Sequence, residues 1–292
     1  MASGWTTTQA LADSLPTVID AARIVREYEG VMPNVVDKVT LPEGSGTAWN
    51  EISLSALSAM AVTETTRNDN PQQMADTLLT ITPDMVQIHT FITDKTARNI
   101  SKNAWARTGA LAQNAIQRRK DTDGLAVFAG ASTTLAGTGT TLTFGHLTAG
   151  VSRAKYGGSN EPSNPPYAIV LHSYQIKDIE DSITAGIGTY TVPEGLTARV
   201  FTEGFEGTVE GAQVYRDDTI TLTSTPDARG GIFAKEAIVM VQGNSPDSET
   251  DREPGWGGGG TSLFITDEYA YGERSSGNWL YGVLSDATDP TS

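Results

Sequence analysis

The chain has no cysteine. That excludes a disulfide framework, thiolate chemistry and any cysteine-bound metal. It also lacks an apolar run of membrane-spanning length. The stretch from Met1 through Asp13 to Asp20 has neither the basic start nor the apolar segment of a secretory signal. Histidine is scarce: His89, His146 and His172 are the three present, and none stands at metal-ligand spacing from another. Positive charge is scarce too, with 20 Lys and Arg against 35 Asp and Glu and a net charge of -15. An acidic total argues against a dedicated reader of duplex DNA, which needs a net basic surface. Hydrophobic residues make up 38% of 292 residues, enough for one large or two modest domains and too many for general disorder.

What positive charge there is lies together. Between Phe91 and Lys120 stand Lys95, Arg98, Lys102, Arg107, Arg118, Arg119 and Lys120, opposed by Asp94 alone. The window predicts a long helix. Asp94 reads as its N-cap, no proline interrupts it, and Gly130 reads as its C-cap beyond Leu125 and Phe128. Ala97, Ile100, Ala104, Leu111 and Ala115 recur at helical spacing on one face. Lys95, Arg98, Lys102 and Lys120 cluster on roughly the opposite face. A helix of more than about 30 residues spans about 50 Å, a strut rather than an ordinary globular helix.

Before this helix, residues 1–36 read as a polar arm with a weak helical pattern from Ala10 to Tyr28, broken at Pro16. Two limbs of strand character follow. Val39, Leu41, Trp49, Ile52 and Leu54 mark the outgoing limb, and Leu78, Ile81, Met85 and Ile92 the returning one. A polar turn region from Glu64 to Gln73 separates them, with Arg67 near its tip. A hairpin this long and this poor in apolar residues needs another surface to lie on.

After the helix, Gly130 to Gly145 reads as a Gly/Thr-rich linker, and Leu147 to Tyr156 as a helix. Tyr167 to Leu171 predicts a short buried strand, and His172 to Ile183 a helix with Ile176, Ile179 and Ile183 on one face. Short strands are expected at Ala198 to Phe201, Thr208 to Tyr215 and Thr219 to Leu222. Ile232 to Val241 joins a helical turn and a strand, Pro246 to Gly260 reads as a loop, and Leu263 to Tyr271 with Asn278 to Val283 as a hairpin.

No constellation for catalysis, cofactor or metal emerges. Gly44-Ser45-Gly46 lacks nucleophile-elbow spacing, and Gly137-Thr138-Gly139 lacks the rest of a phosphate fingerprint. Asp121-Thr122-Asp123-Gly124 begins like a calcium loop but has no closing Glu. The acids Asp217, Asp218, Glu203 and Glu206 read as solvated turn residues without a companion base. The expectation is a protein that is not an enzyme and carries no cofactor.

The order of parts is similar to the major capsid protein of tailed bacteriophages, the Hong Kong 97-type fold. Four blocks carry the resemblance: Ile81 to Ala97, where a strand runs into the long helix; Tyr167 to Ile183, strand then helix; Val209 to Tyr215; and Gly231 to Ile238. The resemblance implies an α+β fold in five parts. These are an N-terminal arm (1–36), an extended β-hairpin loop (37–80), a peripheral domain with the spine helix (81–165), an axial domain (166–225) and a return to the peripheral domain with C-terminal strands (226–292). It also implies self-assembly through pentamers and hexamers into an icosahedral shell around double-stranded DNA, made in the host cytoplasm and located in the virion. Trp49, Ile52, Leu54, Leu57, Met60 and Arg67 of the extended loop are the expected subunit interface. Lys95, Arg98, Lys102 and Lys120 are the expected interior, DNA-facing residues of the spine helix. Because the chain opens at Met1 with a short arm, a separate scaffold protein is expected, with a portal and a decoration protein as further partners, non-specific contact with DNA and no membrane. Two other readings compete: an encapsulin-type compartment shell, and a β-rich tail or adhesin protein that binds glycans.

Overall fold

The computed structural model describes residues 30–55, 57–65, 69, 71–99, 102–156, 162–185, 207–256, 258–274 and 278–290, with backbone only at 99, 102–107 and 183–185. The described residues begin with a short helix α1 (Met32–Val35) and strand β1 (Asp37–Thr40). A ribbon of β2 (Trp49–Leu54) and β3 (Asp76–Ile81) follows, then β4 (Asp84–Thr93). The spine comes next as α2 (Asp94–Asn99) and α3 (Lys102–Ala126), extended by a 3-10 turn over Val127–Gly130. After β5 (Thr134–Ala136) come α4 (Phe144–Tyr156), β6 (Tyr167–Leu171) and α5 (Ser173–Ala185). The chain ends with β7 (Thr208–Val209), β8 (Ala212–Arg216), β9 (Asp227–Ala234), β10 (Ile238–Glu253), β11 (Gly260–Glu273) and β12 (Leu280–Asp286).

Apart from the two-stranded β2–β3 ribbon, two sheets hold the described strands. A six-stranded sheet runs β5-β12-β9-β6-β8-β7, and a four-stranded sheet runs β1-β10-β11-β4. At the centre of the first, all five residues of β6 are buried, which is why the run Tyr-Ala-Ile-Val-Leu lacks alternation. Helix α4 lies close on this sheet because residue 150 is glycine: a Cβ there would come within 2.4 Å of Ile232 Cδ1. The β7–β8 turn places Glu210 and Gly211 at φ 49° and 86°, the left-handed pair of a two-residue hairpin, so glycine at 211 is conformationally required.

The spine joins the two sheets. Its terminal 3-10 turn drives Phe128 into the six-stranded sheet, with its ring 5.5 Å from that of Phe233 and against the bare backbone of Gly231. Its middle lies on the four-stranded sheet, where Ala112 and Ile116 pack with Ile265, Ile88 and Leu263.

Several expectations change. The cap of α2 is Thr93, whose Oγ1 accepts the Thr96 N–H at 3.3 Å; Asp94 is the first helical residue and binds Arg252 instead. The buried stripe of α3 runs through Ala112, Ile116, Lys120 and Leu125, while Leu111 is exposed. Strand β1 belongs to the four-stranded sheet, parallel to β10, so the free ribbon is β2–β3 alone. Thr219 to Leu222 is a turn region, because Thr219 turns back to hydrogen-bond Asp217. Pro246 to Glu253 is strand, held by pairing with β11 at every residue from Asp247. Strands β11 and β12 sit in different sheets and form no hairpin with each other. Strands β6, β7 and β8, expected in the axial domain, share their sheet with β9, β12 and β5. The arm before Gly30 and the strand expected at Ala198 to Phe201 lie outside the described residues.

Phe128→Ala should cost about 3–5 kcal/mol by emptying the joint between spine and sheet. Urea unfolding of the purified chain measures it, and a loss under about 1 kcal/mol contradicts the joint.

Candidate assembly interface

The ribbon is built so that one face cannot bury itself. Register pairs Ile52 with Leu78 and Asn50 with Thr80 across the ribbon. These residues share a face by strand alternation. The Thr80 hydroxyl closes on Asn50 Oδ1 at 2.8 Å, while Ile52 and Leu78 stand opposite each other at 63% and 61% exposure. Leu54 lies on the same face, and beyond it Leu57, Met60, Val62 and Met74 are exposed as well. A contiguous exposed apolar strip marks a contact surface. Each such side chain contributes about 1.5–3 kcal/mol when covered. Past the regular pairing, the ribbon stays closed through Ser55 N–H to Ala75 O at 2.9 Å and through Ser58 N–H to Gln72 Oε1 at 2.8 Å.

Trp49 behaves differently from the other expected interface residues. It is half-buried against its own subunit, beside Ile81, Val239 and Val241, so it belongs to the ribbon's root. Arg274, which sequence reasoning passed over, fixes that root. Its Nη1 lies 2.8 Å from Asp37 Oδ2 and its Nε 2.6 Å from Glu51 Oε2. Nη1 also donates to Glu236 O at 3.2 Å, and the guanidinium stands 5.7 Å from the Trp49 ring centre. Burial works against the charge of Arg274, but hydrogen bonds to Asp37 and Glu51 outweigh it and raise the pKa above its ordinary value. No local motif flags this residue, since its two carboxylate partners lie more than 220 positions away in sequence. Arg67, expected at the ribbon tip, lies outside the described residues.

The spine's positive charge divides in two. Lys95 and Arg98 are exposed on α2, and Arg118 and Arg119 on α3, with Arg119 paired to Asp123 at 2.9 Å. Only the backbone of Lys102 is described. Lys120 does not belong to an open basic face. It is buried with Nζ 2.6 Å from Asp267 Oδ2 and 5.2 Å from the Tyr269 ring centre. The helical wheel groups it with the cations, but its ion pair with Asp267 seats it against β11.

The remaining polar groups serve the fold. His89 stacks on Phe264 at 4.4 Å, and His146 Nδ1 accepts the Thr143 N–H at 3.3 Å at the start of α4. His172 Nδ1 accepts from the Tyr174 N–H at 3.2 Å, and burial lowers its pKa against the pull of Asp218. Asp218 accepts the Ser173 N–H at 3.0 Å at the head of α5. Asp217 is buried rather than solvated. Glu203 and Glu206 lie outside the described residues. Among the described residues, no group of three His, Cys, Asp or Glu is placed to hold a metal ion, and no helix is long and apolar enough to cross a membrane.

No family model matches the sequence, and no curated protein matches it either. Solved structures do. The capsid of cyanophage P-SCSP1u superposes with a TM-score of 0.71 at 13% identity, over 97% of this chain and 96% of that one. The capsid of Ralstonia phage GP4 gives 0.71 at 11% identity, over 94% and 95%. The capsid of cyanophage Pam1 gives 0.66 at 11% identity, over 99% and 100%. The fold is that of phage capsid proteins. The likeness covers nearly the whole chain, and the expected α+β class stands.

Arg274→Met should loosen the ribbon's root at a cost of about 1.5–3 kcal/mol, the range for hydrogen bonds to charged groups. The urea midpoint should fall, and backbone amides of β2 and β3 should exchange faster. Unchanged exchange there contradicts the clamp.

Proposed function

We propose that this chain is the major capsid protein of a tailed bacteriophage, assembling into an icosahedral shell around double-stranded DNA. The single observation that carries this is the fold match over nearly the full length of phage capsid chains at both ends of the comparison. The exposed apolar strip of the ribbon supports it, because a monomer has no use for Ile52, Leu54 and Leu78 in water. In this reading the ribbon lies over a neighbouring subunit. The parts expected from sequence then take their roles: arm, extended loop, peripheral domain on the spine, and axial domain from 166 to 225. The role is structural rather than enzymatic, and the site of action is the virion, with assembly in the host cytoplasm. A scaffold protein, a portal and a decoration protein complete the partner set. The glycan-binding reading gives way to the capsid fold, and no observation favours the compartment shell.

The interior role falls to the spine cations that remain open. Lys95 and Arg98 meet packaged DNA through its phosphates, a contact without sequence preference. Arg118 and Arg119 lie further along the spine, on α3. Lys120 is excluded by its ion pair with Asp267.

Two outcomes follow. The double variant Ile52→Ser, Leu78→Ser should leave a folded subunit and reduce shells at least about tenfold, since one lost apolar contact at each of many interfaces multiplies. Electron microscopy of the chain expressed with its neighbouring genes counts them, and a normal yield removes the ribbon from the interface. Lys95→Gln with Arg98→Gln should form shells of ordinary size holding less DNA, read by the absorbance ratio of purified particles. Full DNA content removes the interior role of these two residues.

A further inference from the structure

Asp121 on α3 and Asp217 in the turn after β8 are both buried. Between them sits the hydroxyl of Thr219, 2.5 Å from Asp217 Oδ1 and in hydrogen-bond contact with Asp121 Oδ2. A hydroxyl has one hydrogen to donate. Against two carboxylates it satisfies one, and the other contact needs a hydrogen from the carboxyl side. A single proton held by the pair supplies it. Without that proton, two buried anions face each other across one oxygen, an arrangement that drives one of them to stay protonated.

The same carboxylates grip the chain where residues 1–29 join the described subunit. The Met32 N–H donates to Asp121 Oδ1 at 2.9 Å, and the Val31 N–H to Asp217 Oδ2 at 3.4 Å. Gly30 lies directly on Asp121, where an added Cβ would stand 2.5 Å from that side chain. Met32 is fully buried and packs on Gly124, one turn of α3 further along. Three segments distant in sequence thus meet at one hydroxyl.

The geometry points to a proton-held latch, in which Asp121, Thr219 and Asp217 share one proton and thereby pin the arm root, Gly30 to Met32, between the spine and the β8 turn. The latch lies within one subunit and stands apart from the assembly reading. Other ionisable groups around it reinforce the demand for a proton. Tyr271, from β11, has its pKa pushed far up by burial and then by Tyr269, Asp121, Asp123 and Asp267. Asp123, one residue pair along α3, is engaged with Arg119 and with the Tyr269 hydroxyl at 2.8 Å. Lys120, the adjacent cation, is committed to Asp267. Burial raises Asp217 to about 6; the Thr219 hydroxyl pulls it down, and the charge of Asp121 pushes it up again.

The sign of the pH effect follows from this. A carboxyl raised from 3.8 to about 6 on folding holds fully below about pH 4, and its hold is lost as pH rises through about 6. Amide hydrogen exchange of the full chain, corrected for intrinsic pH dependence, reads the latch at Val31 and Met32. Their protection should fall about tenfold from about pH 5 to about pH 7.5, while amides of β6 keep theirs. Asp217→Asn brings its own hydrogens and should abolish the step. Thr219→Val removes the bridge and should lower protection of Val31 and Met32 at both pH values. Equal protection of wild-type Val31 and Met32 at the two pH values overturns the proposal, as does a step of undiminished size in Asp217→Asn.

Discussion

The contact between α3 and β11 is the interaction on which the rest depends. Two residues of a strand advance about 6.6–6.8 Å, and four residues of a helix about 6 Å, so a helix lying along a strand can keep its partners in step for several turns. Here it does. Ile116 packs with Ile265, Lys120 pairs with Asp267, Asp123 takes the Tyr269 hydroxyl, and Gly124 receives the Tyr271 ring. The layers pass from apolar at one end to ionic and aromatic at the other. A slip by one turn would set Lys120 among isoleucines and leave Asp267 buried without its cation, which is strongly unfavourable. The ion pair therefore specifies register more than it adds stability, and register sets where Phe128 enters the second sheet.

From that fixed spine the two exposed features take their positions. The ribbon is aimed by Arg274 at the end of β11, next to the layers just described. The basic residues of α2 are placed by Thr93 and by the Asp94 N–H, which donates to Gly259 O at 2.9 Å. A single strand, β11, thus contacts the spine along its length, turns against α2 at its start and holds the ribbon's root at its end. Apolar contact surface and cationic surface are presented by one rigid unit.

Much of this was legible from residue order. The buried strand Tyr167 to Leu171 announces itself by an unbroken apolar run, and the helix after it by Ile176 and Ile179. The spine's extent follows from the lack of proline and from Gly130. Its phase was not legible, because alanines at 104, 106, 110, 112 and 115 spread weak hydrophobicity around the whole helix, and because Lys120 and Asp121 are buried by pairing rather than by polarity. The distal half of β10, Ser-Pro-Asp-Ser-Glu-Thr-Asp-Arg-Glu, reads as loop by composition. It is strand because β11 supplies a partner at every position from Asp247 to Glu253, and strand preference yields to such context. In the candidate interface, Ile52, Leu54, Leu57 and Met60 were found as exposed apolar residues because their isolation on a polar ribbon is visible in sequence. Trp49 was read with them although it packs at the root, and Arg274 was passed over, since a root built from distant partners leaves no local spacing to detect.

The ribbon is fastened at one end. Trp49, Glu51 and Ile81 are held to the body, and past Leu54 the strip carries its apolar residues clear of it. Mechanically that is a cantilever. Load applied near Met60 or Met74 arrives at the root as torque about Arg274, while the two sheets, locked by the spine, stay undeformed. In the proposed shell, differences in angle between one neighbour and the next would be taken up as bending of a slender beam, and a single subunit shape would serve positions of unequal curvature without repacking its core.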